Sequence, residues 1–245
     1  RVDQDPVSAG MGFAGLASTS GTAWSALRNS SVIPLSEKKL DFGASYQSWA
    51  PDGASGTNMG LGAGFKLGER FGLSVAGTMQ NGEEYSLTDE TGNPAGTFKP
   101  SLLSAGLGFG VKIIDNLSAG VNVRFASQKL TSDDSYSAFC GDVFLSYRFS
   151  DFNITAGAAS LGSKVKGADG NSWSLPASAR LGVDWTRSLS EAHTLKVDAD
   201  LDYLFVGSVM AAAGVQYSFK DMVFARAGYH YGPETAVLPS FASAG

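Results

Sequence analysis

Residues 101–126 read SLLSAGLGFGVKIIDNLSAGVNVRFA, and their strict alternation decides the fold. From Leu103 to Ile113, odd-numbered positions are apolar, whereas the even-numbered positions between them are serine, glycine or lysine. After the turn Asp115-Asn116, the same alternation resumes from Leu117 to Phe125. A period of two on both arms predicts a β-hairpin with one apolar face and one small or polar face.

The same unit recurs from about residue 39 onward, and its connections alternate in length. Short turns at one end and long polar loops at the other are typical of a transmembrane β-barrel, whose short turns are periplasmic. The predicted strands are 39–49, 57–67, 70–80, 99–113, 117–129, 136–149, 152–162, 173–187, 193–205, 208–219 and 222–232. The short turns are Gly68-Glu69, Asp115-Asn116, Ser150-Asp151, Ser188 to Ala192 and Lys220-Asp221, and only Val206-Gly207 interrupts the series of long loops.

Aromatic residues cluster at both ends of the predicted strands. Amphipathic rings favour the two interfaces of a bilayer, so two belts separated by leucine, valine and alanine fit a membrane-spanning wall. We therefore predict an all-β fold, a transmembrane antiparallel up-and-down β-barrel whose apolar face meets outer-membrane lipid. A soluble β-sandwich with these aromatics in its core is the alternative. The belts are Tyr46, Trp49, Trp173, Tyr203, Phe205, Tyr229 and Tyr231 at the long-loop end, and Phe65, Phe71, Phe149, Phe152, Trp185, Tyr217 and Phe219 at the short-turn end.

The predicted strand number is odd, whereas bacterial single-chain barrels are even-numbered because closure removes open sheet edges. Residues 239–245 alternate as though a twelfth strand begins there. We therefore expect eleven or twelve strands in this chain and fourteen in the full protein, with C-terminal strands missing from the sequence. On this interpretation residues 39–245 form the barrel, and residues 1–38, which lack the hairpin pattern, form a separate unit.

Two predicted strands each carry glycine at three successive inward positions, and a wall without side chains leaves room for other backbone to pack against it. Residues 1–38 are the natural occupant, as a plug in the lumen or across the periplasmic mouth. A disordered periplasmic tail is the alternative, although the apolar residues of this stretch favour burial. The predicted plug residues are Met11, Phe13, Trp24 and Asn29, and the lumen-lining glycines are Gly60, Gly62, Gly64, Gly106, Gly108 and Gly110.

Charged residues of both signs also fall on the predicted inner face. Unpaired charges inside a narrow barrel are costly, so an interior ladder of ion pairs is the favoured interpretation. A cation-attracting pore lining is the alternative, but arginine and lysine are interspersed among the carboxylates. The predicted charged lumen residues are Arg124, Arg148, Arg180, Asp198, Asp200, Asp202 and Arg226.

The N-terminal stretch resembles a known family. The sequences DPVSAGMGFAGLA at 5–17 and GTAWSALRN at 21–29 resemble the opening of the PorV/PorQ family of Bacteroidetes outer-membrane proteins, a branch of the FadL-like barrels. The resemblance implies a fourteen-stranded barrel with an N-terminal hatch in the bacterial cell outer membrane. The family usually has Asn-Pro-Ala where this chain has Asn29-Ser30-Ser31, so the hatch geometry is expected to differ there.

Composition and motifs argue against several other classes. The net charge of −5 without a basic stripe disfavours nucleic acid, and the single Cys140 provides neither a disulfide framework nor a metal cluster. The GxGxxG match at Gly10–Gly15 lacks a βαβ context, so no cofactor is predicted. A hydrolase built on His230 would need a nucleophile motif that is not evident, so we predict no enzyme. Acidic loop residues without calcium-loop spacing are interpreted as a solvated rim: Glu83, Glu84, Asp89, Glu90, Asp133 and Asp134.

Two functions remain. The first is a non-enzymatic, membrane-embedded subunit that binds other outer-membrane or secreted proteins, in type IX-like protein export or in outer-membrane assembly. The second is a FadL-like channel for uptake of hydrophobic small molecules, which requires an apolar pocket inside the barrel. The predicted inward positions supply few apolar residues, although the N-terminal stretch could add Phe13 and Trp24. The family resemblance favours the first function by analogy only.

Overall fold

The structure is a computed structural model that describes residues 5–49, 55–89, 91–131, 135–166, 172–233 and 238–245. A short helix, α1, spans Pro6–Gly10, where the Asp5 side chain accepts a hydrogen bond from the Val7 N–H, and 3-10 helices span Ser25–Leu27 and Ser30–Leu35. None of the helices in these ranges has the length and apolar character needed to cross a bilayer. The strands are β1 Leu40–Trp49, β2 Gly56–Leu67, β3 Phe71–Asn81, β4 Tyr85–Thr88, β5 Pro94–Phe98, β6 Ser101–Ile114, β7 Leu117–Lys129, β8 Ser135–Phe149, β9 Phe152–Gly162, β10 Val165–Lys166, β11 Ser172–Trp173, β12 Ser178–Ser190, β13 His193–Leu204, β14 Ser208–Phe219, β15 Val223–Tyr231 and β16 Phe241–Ala244.

Twelve of these strands form one antiparallel sheet in the order β1-β2-β3-β6-β7-β8-β9-β12-β13-β14-β15-β16. Each wall strand pairs with the next wall strand along the chain, which confirms the predicted up-and-down antiparallel fold. The quoted hairpin is β6–β7, in which Leu107 is opposite Val123 and Gly108 is opposite Asn122. The pairs β4–β5 and β10–β11 are small separate hairpins within the long loops.

Three predicted boundaries were wrong. The strand predicted at 173–187 is β12 Ser178–Ser190, because Trp173 pairs with Val165 in the side hairpin and the intervening Pro176 lacks the N–H that a sheet ladder needs. Trp173 therefore does not belong to the wall. The predicted turn Ser188 to Ala192 is shorter, since β12 extends to Ser190, and the loop predicted at 81–97 contains β4 and part of β5.

Large apolar side chains cover the outer face of the wall. Leu61 and Leu107 are 70% and 65% exposed, whereas their strand neighbours Gly60 and Gly108 are buried. The predicted belt residues Tyr46 and Phe149 are also strongly exposed, while the side chain of Trp49 lies outside the description. A continuous exposed apolar surface of this size belongs in lipid rather than in water.

The sheet wraps around the N-terminal segment, which we define as residues 5–38. Each of the twelve wall strands has at least one residue that approaches this segment. At one edge of the sheet, Asp41 of β1 accepts a hydrogen bond from the Thr22 N–H. At the other edge, the Ser243 hydroxyl of β16 accepts one from the Gly12 N–H. Met11 and Ile33 are among the most buried side chains of the protein. A segment touched by every strand lies inside a curled sheet.

The two edge strands of the sheet flank α1. Residues 44–47 of β1 and Ala244 of β16 line a groove together with Pro6, Ala9 and Gly10. Among the described residues, no hydrogen-bonded ladder joins β1 directly to β16. The twelfth strand expected near residues 239–245 is β16, whereas a total of fourteen strands stays a prediction.

The membrane orientation can be tested by cysteine labelling. Asp89 follows β4 in a long loop, whereas Asn116 lies in the tight turn between β6 and β7. In a Cys140→Ser background, we expect Asp89→Cys to react with a membrane-impermeant maleimide on intact cells, because long loops of such barrels face outward. Asn116→Cys should react only after the outer membrane is permeabilised. Labelling of Asn116→Cys on intact cells would reverse the orientation.

The fit between the wall and the N-terminal segment can be tested at Gly108. A Cβ atom at Gly108 would meet the Ser74 hydroxyl at 2.5 Å and would also collide with Ser30. We expect Gly108→Ala to lower the free energy of unfolding by about 1–3 kcal/mol, because an extra methyl group in a closely packed site forces its neighbours to move. Gly77→Ala is the matched control, since its Cβ on the outer face would lie 3.7 Å from the nearest atom. Urea unfolding in lipid vesicles should separate the two variants, and equal stabilities would contradict the fit.

Candidate functional site

The two glycine stripes lie against the N-terminal segment. On β2, a Cβ atom at Gly60 would lie 2.8 Å from the Trp24 ring, and on β6 one at Gly106 would lie 2.6 Å from the Ala26 carbonyl oxygen. The absence of side chains therefore lets the segment approach the wall backbone directly. The remaining glycines of the two stripes face the same segment: Gly62, Gly64, Gly108 and Gly110.

Wall carboxylates accept hydrogen bonds from backbone N–H groups of the segment. Asp200 accepts from Gly15 and Leu16 at 2.9 and 3.0 Å. Asp41 accepts from Thr22 and Ala23 at 2.8 and 3.2 Å. Neither stretch of the segment is helical or stranded, so these bonds satisfy backbone donors that secondary structure leaves open. Charge-assisted bonds of this kind hold the segment in register with the wall.

The three successive carboxylates on β13 have three different partners. Asp198 lies 3.5 Å from the Lys196 ammonium, which also lies 3.0 Å from Asp184. Asp200 bonds the segment as described, and Asp202 pairs with the Arg180 Nε at 3.0 Å. Lys196 also donates to the hydroxyls of Ser18 and Ser20 in the segment. The row therefore links the wall both to itself and to the segment.

The other predicted arginines lie at separate points of the inner face. Arg124 donates to Asp142 at 2.6 Å. Arg148 donates to the carbonyl oxygen of Leu35 at 2.5 Å, and so it holds the end of the segment near the short turns. Arg226 donates to Gln216 at 2.6 Å, and its guanidinium lies 5.1 Å from the centroid of the Phe224 ring. The structure does not bring these arginines together.

Asn29 is the centre of a buried hydroxyl network. Its side-chain N–H group donates to the Leu16 carbonyl oxygen at 2.9 Å, and its side-chain oxygen accepts from the Ser31 hydroxyl at 2.6 Å. Ser31 also bonds Ser146 of β8 at 2.6 Å, and Ser30 bonds Ser74 of β3 at 2.8 Å. Ser30 and Ser31, which stand where the PorV/PorQ family usually has Pro-Ala, thus each form a side-chain hydrogen bond to the wall.

The predicted plug residues Met11, Phe13 and Trp24 contact different parts of the wall. Met11 is fully buried against the backbone of Gly214 and Gly228, and Trp24 packs on β1 and β2. Phe13 has a φ of 71°, in the left-handed region that a bulky residue rarely adopts. Its ring packs edge-on against His230, with centroids 6.1 Å apart.

A cavity of about 250 Å³ lies between the segment and the wall. The wall residues that line it lie near the strand ends opposite the short turns. The cavity is therefore in the half of the lumen away from the short turns. The segment supplies the apolar residues Phe13, Leu16, Trp24 and Leu27 together with Arg28. The wall supplies Arg124, Arg180, Asp200, Asp202, Met210 and His230. Four predicted lumen residues, Arg124, Arg180, Asp200 and Asp202, and two predicted plug residues, Phe13 and Trp24, therefore line one space together with other apolar side chains.

His230 is a buried part of this cavity, and only 7% of its surface is exposed. Its ring stacks on Phe241 with centroids 5.1 Å apart and an interplanar angle of 20°. Neither ring nitrogen has a hydrogen-bond partner of normal geometry among the described residues. Within the described residues, His230 therefore forms no hydrogen bond with a serine of the kind that a hydrolase needs.

The acidic loop residues do not converge on a site. The pKa of the Asp89 carboxyl is lowered by a hydrogen bond from the Thr91 hydroxyl and, next, by one from the Asn93 backbone N–H. Within the described ranges, no group of three or more histidine, cysteine or acidic residues could hold a metal ion. Glu90, Asp133 and Asp134 lie outside the described residues.

Sequence reasoning missed several residues of the cavity. Met210 could have been found, because its even position on β14 places it inward by the same alternation that identified the glycines. Leu27 and Arg28 belong to a 3-10 turn and its cap, where no period indicates which side chain faces the lumen. Their position depends on the path of the segment, which tertiary contacts decide.

Solved structures provide the comparison, since no protein-family model and no curated protein matches the chain. The Pseudomonas putida toluene transporter TodX is similar over 96% of this chain and 86% of that chain, with a TM-score of 0.62 and 13% identity. A Pseudomonas aeruginosa FadL homologue is similar over 93% and 80%, with a TM-score of 0.52 and 11% identity. The translocator domain of the autotransporter NalP from Neisseria meningitidis has a TM-score of only 0.41, which is too low to indicate a shared fold.

The chain has the fold of a FadL-type outer-membrane β-barrel. This fold and the exposed apolar face together locate the protein in the bacterial outer membrane, as the sequence predicted. The narrower resemblance to the PorV/PorQ family and a Bacteroidetes origin stay predictions.

The attachment of the segment can be tested at Asp200. We expect Asp200→Asn to weaken two charge-assisted bonds to the segment backbone, and so to raise the population of the released segment roughly 10- to 100-fold. Trypsin cleavage after Arg28, which is half-buried in the folded protein, should accelerate correspondingly. Asp115→Asn, in an exposed turn, removes the same charge without touching the segment. Equal cleavage rates in the two variants would contradict the proposed attachment.

Proposed function

We propose that this protein is an uptake channel for small molecules across the outer membrane, with the N-terminal segment as its plug. The observation that carries the proposal is the cavity beside the segment, which combines apolar residues with a few polar groups, as ligand sites do. The sequence alone left the uptake function without an apolar pocket, and the segment supplies one. The similarity to a toluene transporter, at fold level only, is consistent with this function.

A ligand in the cavity would meet a closed path towards the short turns. The segment itself is closely packed, since the void enclosed by its own residues, among them Asp5, Leu16 and Val32, has a volume of only about 10 Å³, about that of one water probe. The hydroxyl network around Asn29 and the bond from Arg148 to Leu35 occupy this half of the lumen. Passage through the barrel axis therefore requires the plug to move.

Plug movement can be tested with a reversible disulfide. Ser30 and Ser74 hydroxyl oxygens lie 2.8 Å apart, so Ser30→Cys with Ser74→Cys should form a disulfide in a Cys140→Ser background. In proteoliposomes, we expect oxidation to reduce uptake of labelled toluene at least about tenfold and a reductant to restore it. The Ser30→Cys single variant is the control, and its toluene uptake should be the same with and without the oxidant. Unchanged uptake through the oxidised double variant would contradict a moving plug, and no uptake by the unmodified protein would contradict the channel.

The partner-binding function in protein export or outer-membrane assembly stays a prediction from the family resemblance. It requires stoichiometric partners that survive mild detergent. Affinity purification from native membranes should recover them if this function is correct, and a clean monomer would count against it.

A further inference from the structure

We infer that His230 is a pH-sensitive latch for the N-terminal segment. In mild acid its ring takes up a proton, leaves its place between two phenylalanine rings and loosens the segment from the wall. This inference rests on the proposed function, in which the segment is a plug that moves, and it names what controls the movement. It follows from three features of the structure: the packing of His230, the charges around it and the backbone of the segment beside it.

The ring of His230 joins the segment to two strands of the wall. It stacks on Phe241 of β16 with centroids 5.1 Å apart, and it meets Phe13 of the segment edge-on with centroids 6.1 Å apart. Phe13 and Phe241 also contact each other, with centroids 5.0 Å apart. The three rings therefore form one cluster, and His230 is its only member that can change its charge.

This cluster suits a neutral imidazole and not an imidazolium. Only 7% of His230 is exposed, and neither ring nitrogen has a hydrogen bond of normal geometry with a described residue. An imidazolium carries two N–H donors, and the Gly12 backbone beside the ring, which lies outside normal hydrogen-bond geometry, can serve only one of them. A buried charge without a partner costs more than the attraction of neighbouring aromatic rings returns. A proton on His230 therefore drives the ring out of the cluster towards water.

The strands around His230 offer no carboxylate to hold a charged ring in place. β14 and β16, which lie on either side of β15, contain no charged residue, and the other charged residue of β15 is Arg226. In the segment, Asp5 lies 3.5 Å from the Arg28 guanidinium and also accepts from the Val7 N–H. The charged residues that line the adjacent cavity are Arg28, Arg124, Arg180, Asp200 and Asp202.

The two carboxylates of the cavity already have partners. Asp202 lies 3.0 Å from the Arg180 guanidinium, and Asp200 accepts hydrogen bonds from the Gly15 and Leu16 N–H groups. The three arginines of the cavity repel a further positive charge. The surroundings of His230 therefore do not compensate for its protonation while the ring stays in the cluster.

The backbone that holds Phe13 in the cluster is strained. Gly12 and Phe13 have φ values of 69° and 71°, which glycine adopts readily and phenylalanine rarely. This turn is held by a hydrogen bond from the Phe13 N–H to the Ser8 carbonyl oxygen and by one from the Gly12 N–H to the Ser243 hydroxyl, both at 2.8 Å. The contacts of the Phe13 ring offset the strain. When His230 leaves, Phe13 loses one of its two ring partners, and the turn is free to relax.

Acid favours the released state because that state takes up the proton. Imidazole has an ordinary pKa of about 6.5, so a hydrated histidine changes its charge within the range from about pH 5 to about pH 8. The ring is hydrated only after release, so proton uptake shifts the equilibrium towards release as the pH falls. One group of this kind raises the released population about tenfold between about pH 7.5 and about pH 5.5.

Cysteine accessibility beside Phe13 tests the latch. Ala14 is only 1% exposed, so Ala14→Cys in a Cys140→Ser background reports release of the segment. In lipid nanodiscs, we measure its rate of reaction with a maleimide and divide it by the rate of the exposed Asn116→Cys, which removes the pH dependence of the thiol itself. We expect this ratio to rise about tenfold between about pH 7.5 and about pH 5.5.

Two histidine variants assign the response. His230→Phe keeps an aromatic ring that cannot bind a proton, so the ratio should stay within about twofold over the same pH range. His193→Phe is the matched control, because His193 lies at a short turn and contacts Tyr217, and it should keep the tenfold rise. An equal rise in His230→Phe would show that carboxylates control the segment and would overturn the inference, as would a ratio that does not change in the unmodified protein. If His230→Phe fails to fold, His230→Gln replaces it, and a tenfold rise there would contradict the latch equally.

An uptake measurement distinguishes the latch from the proposed function. Toluene is uncharged at both pH values, so its uptake into proteoliposomes reports the path and not the charge of the substrate. We expect uptake to rise in acid through the unmodified protein and to stay constant through His230→Phe. Uptake that is equal at the two pH values in the unmodified protein would refute the latch while the channel stands. A pH-dependent release without uptake at either pH would refute the channel and leave the latch.

Discussion

Hydrocarbon on the outer face is the constraint on which the rest of this structure depends. Because lipid accepts no hydrogen bonds, the wall strands place most of their large apolar residues outward and leave mainly glycine, serine and charged residues inward. The interior therefore receives more polar groups than its narrow lumen can keep hydrated. These groups need partners, and both other wall residues and the N-terminal segment provide them.

The segment provides these partners mainly through its backbone. Its N–H groups meet the carboxylates of Asp41 and Asp200, and its carbonyl oxygens meet Lys66 and Arg148. Such pairing lets an irregular chain lie inside a membrane-spanning wall without unsatisfied backbone groups. The glycine stripes make the pairing possible, because they let the segment come close enough for short side chains such as Ser74 to reach it. Wall and segment thus satisfy each other's polar groups.

The sequence predicted the wall well because the alternation that specifies a strand is local. It failed at β12, where Trp173 continues the pattern but pairs in a side hairpin before Pro176. Alternation also identified inward residues such as Arg180 and Asp200, but it could not give their partners. Asp198, Asp200 and Asp202 look equivalent along the strand, and only the path of the segment decides that one meets Lys196, one meets backbone and one meets Arg180. The left-handed backbone of Phe13, which brings its ring to the cavity, has no signal in the sequence.

The kind of contact that holds the segment bears on whether it can move. Its apolar packing against the wall is divided among two small buried clusters, one around Trp24 and one around Leu16 and Phe144, and separate contacts made by Met11, Phe13 and Ile33. Most of the remaining contacts are hydrogen bonds and ion pairs, which water can replace at a net cost of about 0.5–1.5 kcal/mol for each neutral bond. Apolar surface has no such replacement, since its exposure to water costs about 25 cal/mol per Å². A plug held by polar contacts can therefore be released in steps as water enters, whereas a plug held by an apolar core would have to leave all at once. The serines at positions 30 and 31, where the resembled family has Pro-Ala, shift the balance further towards contacts that water can replace.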